Sequence, residues 1–260
     1  LRVRIADMLE LRDLTLAVAG RRLCDGLSAR LGAGENWVIL GANGSGKTTL
    51  LHTLAGLRAP DSGQVLLDEQ PLRAYSHRAR ARRLGVLLQD YESSLPATVL
   101  EMALTGRHPH LGRWQWEDGA GRALAEKTLA TMDLAGFESR LLPTLSGGER
   151  RRAEIAALLV QDAPLCLLDE PTNHLDLQHQ VDVLALLTAR AREPGHLNVM
   201  VLHDINLALR FGTHAILLFS DGTTLQGPMA DVVTRERLEQ LYRCRLREVR
   251  DGERPCYLPA

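Results

Sequence analysis

No run of 18 apolar residues occurs anywhere in the 260, and a bilayer-spanning helix needs roughly that many or more. Cysteine is scarce. Cys24, Cys166, Cys244 and Cys256 are scattered with no C-x-x-C pair, which suits a reducing cytosol better than a disulfide framework or a zinc site. Neither sign of charge is in excess: 31 Lys and Arg stand against 32 Asp and Glu, for a formal net charge of −1. That balance argues against general attraction to nucleic acid, and no nucleic-acid partner is expected. The first ten residues carry Arg2, Arg4, Asp7 and Glu10 and do not read as a secretory leader, so a cytosolic protein is expected. Internal repeats, low-complexity tracts and linkers are also missing. With 45% hydrophobic residues, one chain-length unit with a sizeable core remains.

Glycines are present where they carry chemistry. Gly41-Ala42-Asn43-Gly44-Ser45-Gly46-Lys47-Thr48 fits G-x-x-x-x-G-K-[ST], a loop whose backbone N–H groups cradle nucleotide phosphates. The four fixed positions arise by chance in about one chain of this length in a hundred. The flanks agree as well. Residues 36–40 form a short apolar run suited to a buried strand, and Leu50, Leu51, Leu54 and Ala55 follow at helical spacing, with Gly56 placed to stop the helix. A loop between a strand and a helix N-terminus offers free N–H groups and a favourable dipole to phosphate. Lys47 can reach the β- and γ-phosphates, and the Thr48 hydroxyl can ligate Mg²⁺.

Along the chain, residues 9–18 alternate as a half-buried antiparallel strand does, and 23–31 read as a second strand. A short strand is expected at 65–67. Arg78, Arg80, Arg82 and Arg83 read as a solvated basic face before an apolar strand at 84–88. Gln89 follows that strand, beyond the carboxyl end, where ligands bind in parallel α/β sheets. From about 90 to 162 helical patterns dominate, at 99–105 and 120–132, with Trp114 and Trp116 in a loop-like stretch at 112–119. His108-Pro109-His110 is read as structural rather than metal-binding.

Leu145-Ser146-Gly147-Gly148-Glu149 matches the S-x-x-E capping box at the head of a helix. Arg150, Arg151 and Arg152 then fall near that helix N-terminus, where positive charge opposes the dipole. The conflict points to a site for an anion or to an acidic partner. Residues 165–168 form an apolar buried strand that ends in Asp169 and Glu170. Asp169 suits Mg²⁺, and Glu170 suits the general base that polarises an attacking water. A turn at 171–176 leads into a helix at 177–192. The apolar strand 198–202 then delivers His203 to the same edge. Residues 215–219 and 223–226 flank Asp221-Gly222, a hairpin signal. A helix at 234–242 and a hairpin turning at Asp251-Gly252 close the chain.

Taken together these motifs resemble the ATP-binding subunit of an ATP-binding-cassette transporter over nearly the whole chain. GANGSGKT resembles the Walker A loop, LCLLDE the Walker B strand and LSGGE the family signature. Gln89 resembles the Q-loop glutamine, 173–176 the D-loop and His203 the switch histidine. Five fixed signature positions arise by chance on the order of once in a thousand sequences. EPTNHLDLQHQ, GRHPHLG and the tail 227–242 are similar to ATPases that import iron-siderophores, haem or cobalamin.

The resemblance implies an α/β fold: a RecA-like phosphate-loop NTPase core with an antiparallel β subdomain and a helical insertion subdomain. It implies one ABC ATPase domain over 1–260, with 1–89 and 163–260 as core and 90–162 as the helical signature subdomain. It implies ATP and Mg²⁺ as cofactors. Nucleotide would contact Gly41, Asn43, Gly44, Ser45, Gly46, Lys47, Thr48 and Thr49, with Ser146, Gly147, Gly148 and Asp176 reaching it from a second copy in a head-to-tail dimer. Thr48, Gln89 and Asp169 would serve the metal, and Glu170, His203 and Gln89 catalysis. Integral membrane permease subunits would be direct partners and a periplasmic or surface binding protein an indirect one, with the chain peripheral on the cytoplasmic face of the inner membrane. Where such families carry an aromatic for adenine, this sequence has Val18, Ala19 and Gly20, so stacking from that position is not expected. An exporter ATPase, a soluble ABC protein and a small-molecule kinase are the competing readings. The last has no use for LSGGE, and the soluble proteins usually carry two cassettes or a long coiled coil.

Overall fold

Alternation of apolar and polar residues builds one sheet of this protein, and unbroken apolar runs build the strands beside its phosphate loop. The structure is a computed structural model that describes residues 7–89, 97–112, 119–252 and 254–260. The stretch holding Trp114 and Trp116 lies outside the described residues. In chain order the elements begin with β1 (Asp7–Val18), β2 (Arg21–Gly32), β3 (Asn36–Leu40), α1 (Lys47–Leu54), β4 (Ser62–Leu67) and β5 (Gln70–Pro71). Next come α2 (His77–Ala81), β6 (Leu84–Leu87), α3 (Val99–Thr105), α4 (Gly119–Thr131), α5 (Gly147–Gln161), β7 (Leu165–Asp169) and α6 (Leu177–Ala191). The chain ends with β8 (Leu197–Val201), α7 (Ile205–Phe211), β9 (His214–Leu218), β10 (Thr224–Pro228), α8 (Met229–Val232), α9 (Arg235–Tyr242), β11 (Leu246–Asp251) and β12 (Arg254–Pro259). The expected α/β fold class holds. Two compact units form, Leu1–Ala74 with Leu187–Ala260, and Tyr75–Leu186.

In the first unit, β2-β1-β4-β5 make an antiparallel sheet. Leu9, Leu11, Leu14 and Leu16 are all buried on it, as period-two patterning requires of a sheet with one face on the core. Strands β10-β9-β3-β8 lie in that order within a second sheet. There β3 runs parallel to both β8 and β9, while β10 returns antiparallel to β9. Every residue of β3 and β8 is buried. That explains why both read as unbroken apolar runs, with one polar exception each. Asn36 and Asn198 sit side by side in register. The Asn198 Nδ2 donates to Asn36 Oδ1 at 3.0 Å and to Leu187 O at 2.7 Å, so the two buried amides partner each other. The final hairpin, β11 with β12, pairs Asp251 with Arg254.

In the second unit β6 and β7 pair in parallel, from Leu84 opposite Leu165 to Leu87 opposite Leu168. Helices α3, α4 and α5 pack on one another. Close approach of α3 to α5 depends on Gly106, where an added Cβ would collide with Ala157 O and come within 2.8 Å of the Gln161 amide. Both α3 and α5 start with complete capping boxes, Thr98 with Glu101 and Ser146 with Glu149. The short helices α2, α7 and α8 depart from the sequence reading. The basic run carries α2, capped by Ser76, and Arg78 and Arg82 each donate from Nε to the Pro109 carbonyl, at 2.9 and 2.7 Å. Helix α7 follows Asp204, which accepts from the Asn206 and Leu207 amides. His110 lies 2.7 Å from the Gln161 carbonyl, so the His-Pro-His segment is used as a brace.

Candidate functional site

In the first unit the loop after β3 turns through Gly44 at φ +73° and Gly46 at φ +102°, a region open to glycine and costly to other residues. Gly46 is the N-cap of α1, so the amides of the first helical turn lack partners inside the helix and face outward from its N-terminus. Space is tight around the loop. A Cβ on Gly41 would collide with Ser45 Oγ, and one on Gly46 would lie 2.9 Å from Leu23 of β2. The Lys47 ammonium is buried and donates to Gly41 O at 2.9 Å and Ala42 O at 3.1 Å. Asn43 is exposed, while Thr48 and Thr49 are half-buried. Because β8 is β3's parallel neighbour, with Ile39 opposite Val201, His203 emerges at the same sheet edge as the loop, where it is exposed.

In the second unit the parallel pair β6–β7 brings Gln89, which is exposed, and the Asp169–Glu170 pair, which is buried, to one edge. Glu170 has φ +49°, sparsely populated for a residue with a Cβ. Its Oε2 accepts from the Asn173 side-chain amide, and its carbonyl accepts from the Asn173 backbone at 3.1 Å. Ser146 Oγ accepts from the Glu149 amide at 3.3 Å, and the Ser146 amide donates back to Glu149 Oε2 at 2.7 Å. That amide bond, followed by the hydroxyl, holds the Glu149 carboxyl below its ordinary range. Gly147 and Gly148 lie against His174: a Cβ at 148 would come within 2.9 Å of the His174 carbonyl. Asp176 Oδ1 accepts from the His179 amide at 2.9 Å and lies 2.8 Å from His179 Nδ1, contacts that lower the Asp176 pKa.

One of the three arginines after the signature needs a correction. Arg151 does not wait for a phosphate. It is buried, and its guanidinium bonds Glu154 and three backbone carbonyls of its own unit. The charge that opposes the helix dipole is thus answered from inside the protein. Sequence reasoning missed this, as it missed Asn173 as a partner of Glu170 and His179 as a partner of Asp176. Each had a local signal in a polar residue three positions along, Glu154, Asn173 and His179, but the backbone acceptors of Arg151 had none.

Among the described residues no group of three or more His, Cys, Asp or Glu is placed to hold a metal ion. A magnesium ion held mainly by nucleotide phosphates and water would need no such group. A family model described as ABC transporter matches residues 24–173, more than half of the chain. The chain belongs to the ABC transporter family. Ferric enterobactin transport ATP-binding protein FepC of Escherichia coli (strain K12) is 37% identical over 88% of this chain and 85% of its own. Hemin import ATP-binding protein HmuV of Bradyrhizobium diazoefficiens is 38% identical over 92% and 89%. A structure described as a metal-chelate type ABC transporter in an inward-facing conformation matches with TM-score 0.84 at 26% identity, over 98% of both chains. The dimeric bacterial ABC transporter cassette MJ0796 matches with TM-score 0.76 at 28% identity, over 85% of this chain and 99% of that one. As a member of this family the chain is an ATP-binding subunit whose ATPase activity is coupled to transport. Among its described residues no helix is long and apolar enough to cross a membrane.

Proposed function

We propose that the chain is the ATP-hydrolysing subunit of a membrane importer for an iron-siderophore, haem or cobalamin. The observation that carries the ATPase reading is the presence in one chain of both a glycine loop opening onto the α1 N-terminus and a capped signature at the head of α5. The relatives that transport ferric enterobactin and import hemin support the substrate class. Residues 1–260 would make up one ABC ATPase domain, with 90–162 as its signature subdomain.

In this reading two copies associate head to tail, as the dimeric cassette supports. The loop amides from Gly41 to Thr49 and the Lys47 ammonium bind the phosphates of ATP. Ser146, Gly147, Gly148 and Asp176 of the second copy cover them and exclude bulk water. Asp169 and the Thr48 hydroxyl, with Gln89, would hold Mg²⁺, which supplies charge neutralisation to the phosphates when bound. Glu170 accepts the proton of the attacking water, and His203 orients the γ-phosphate. Catalysis is then mostly positioning and electrostatic stabilisation. The chain would sit on the cytoplasmic face of the inner membrane against permease subunits, with a substrate-binding protein acting on them from the far side.

Lys47→Ala and Glu170→Gln test this together. The first should bind ATP weakly and hydrolyse none. The second should bind ATP, form a long-lived dimer on size exclusion and lose about 10²–10⁴-fold in turnover. Undiminished turnover in either variant would overturn its residue's role. Disrupting the gene in its own host should stop uptake of radiolabelled ferric siderophore, haem or cobalamin. Unchanged uptake of all three would overturn the substrate class.

A further inference from the structure

We propose that Arg151 is a positioning residue that joins the signature helix to the two strand ends bearing the reactive side chains. Its Nη1 donates to Leu88 O at 2.7 Å and to Glu154 Oε2 at 2.8 Å. Its Nη2 donates to Asp169 O at 2.5 Å and Glu170 O at 3.0 Å. Leu88 is the residue just before Gln89. One planar group therefore grips the backbone at the exit of β6 and across the paired acids after β7, while its own Cα rides on α5, five positions past the signature serine. All of these residues lie in one compact unit.

Three features separate this arrangement from an ordinary buried ion pair. Arg151 and Glu154 are both buried, at 3% and 8% exposure, and Glu154 lies three residues along the same helix, where it aims the guanidinium without joining distant elements. Its carboxyl is pushed above the ordinary range, chiefly by burial and against the pull of Arg151. Next, three of the four acceptors are main-chain carbonyls at strand exits, a pattern that the five-donor planar fork of arginine can meet and the point charge of lysine cannot. Lastly, Glu170 adopts φ +49°, a conformation that persists only where its surroundings over-determine it. Arg151 holds its carbonyl and Asn173 its carboxylate. Loosening the carbonyl frees the backbone to move toward extended geometry, and the carboxylate swings with it. A misplacement of about 1 Å at a reacting group can cost about a hundredfold in rate.

This rests on the reading of Glu170 as the base that activates water, and the experiment keeps the two apart. Arg151→Met with Glu154→Leu removes both charges in roughly conserved volume, so no lone carboxylate is left buried. Arg151→Lys keeps the charge opposite Glu154 but not the fork. ATPase kinetics and melting curves are measured on both purified variants, alongside Glu170→Gln. The expected result is a kcat lowered about 10- to 100-fold with KM for ATP within about threefold of the parent. A folded variant with kcat within twofold of the parent overturns the proposal, as does a fall in kcat matched by a rise in KM. If the double variant does not fold, the lysine variant decides alone. Full turnover in Glu170→Gln would instead sink the assignment of the base.

Discussion

Replacing Ser146 by alanine separates two tasks that one hydroxyl is placed to perform. The first is local. Ser146 Oγ accepts from the Glu149 amide at 3.3 Å, a long bond, while the reciprocal bond from the Ser146 amide to Glu149 Oε2, at 2.7 Å, uses only backbone on the serine side. Alanine removes the first and keeps the second. The loss should therefore fall at the low end of N-cap substitutions, about 0.5–1 kcal/mol, or about 1–4 °C in melting temperature for a chain of this size. The second task is the proposed bond to a phosphate held by the other copy. A hydrogen bond to a charged group contributes about 1.5–3 kcal/mol, which is about 10- to 150-fold in rate. Calorimetry and steady-state ATPase assays on the same preparation read the two tasks independently. Ser146→Thr keeps the hydroxyl and should stay close to the parent in both. If Ser146→Ala hydrolyses ATP within twofold of the parent, its hydroxyl does not touch the phosphate in the closed state. If its melting temperature falls by more than about 10 °C, the surviving half of the capping box does not hold the helix end.

The capping boxes also predict a pH dependence. Glu101 and Glu149 both sit below their ordinary pKa of 4.5, held there first by the amides of Thr98 and Ser146. Their contribution is therefore present above 4.5 and is lost as pH falls through the lower folded values. Melting curves from about pH 6 to about pH 3 should flatten in a Glu101→Gln, Glu149→Gln variant relative to the parent, and parallel curves would refute this. Gly106→Ala should destabilise by about 1–3 kcal/mol, because the new methyl meets backbone of α5 that cannot rotate away. An unchanged melting temperature would contradict the close α3–α5 approach. With Val18, Ala19 and Gly20 at the hairpin tip, and Val18 exposed, no ring from that position stacks on the base. Such stacking is worth about 1–3 kcal/mol where it is made, and with none from that position GTP should be used with kcat/KM within about tenfold of ATP. A preference above a hundredfold would show that another group reads the base.

What could be read from the sequence follows from how far each signal reaches along the chain. The glycine loop, the buried runs of β3, β7 and β8, and both halves of the Ser146–Glu149 box lie within a few residues, so their spacing alone identified them. Helix α2 escaped because its five residues are His, Arg and Ala and offer no apolar stripe to betray helical period. The seven residues of α7 follow an apolar strand with only His203 and Asp204 between, too short an interval for a change of period to register. Arg151 was misread for a different reason. Three of its four acceptors are main-chain oxygens 18, 19 and 63 residues away, which no side-chain pattern records, and only Glu154, three positions along, left a local trace. The sequence showed that a charge stood in an awkward place, and only the fold could show which way it pointed.

The amide pair between β3 and β8 acts as a registration pin for chemistry at the opposite end of both strands. Asn36 and Asn198 are the polar side chains on two five-residue strands that are buried throughout and otherwise apolar. Aliphatic neighbours would tolerate sliding, but each one-residue shift would part the amides and strand them in a dry interior. A slip of that size moves a strand by about 3.3 Å and turns its side chains to the other face. The height at which His203 arrives beside the loop is thus set by two residues that no nucleotide could reach. Variation at 36 or 198 would retune the proposed catalytic edge by changing which residue is delivered there, with every residue of the edge itself left intact.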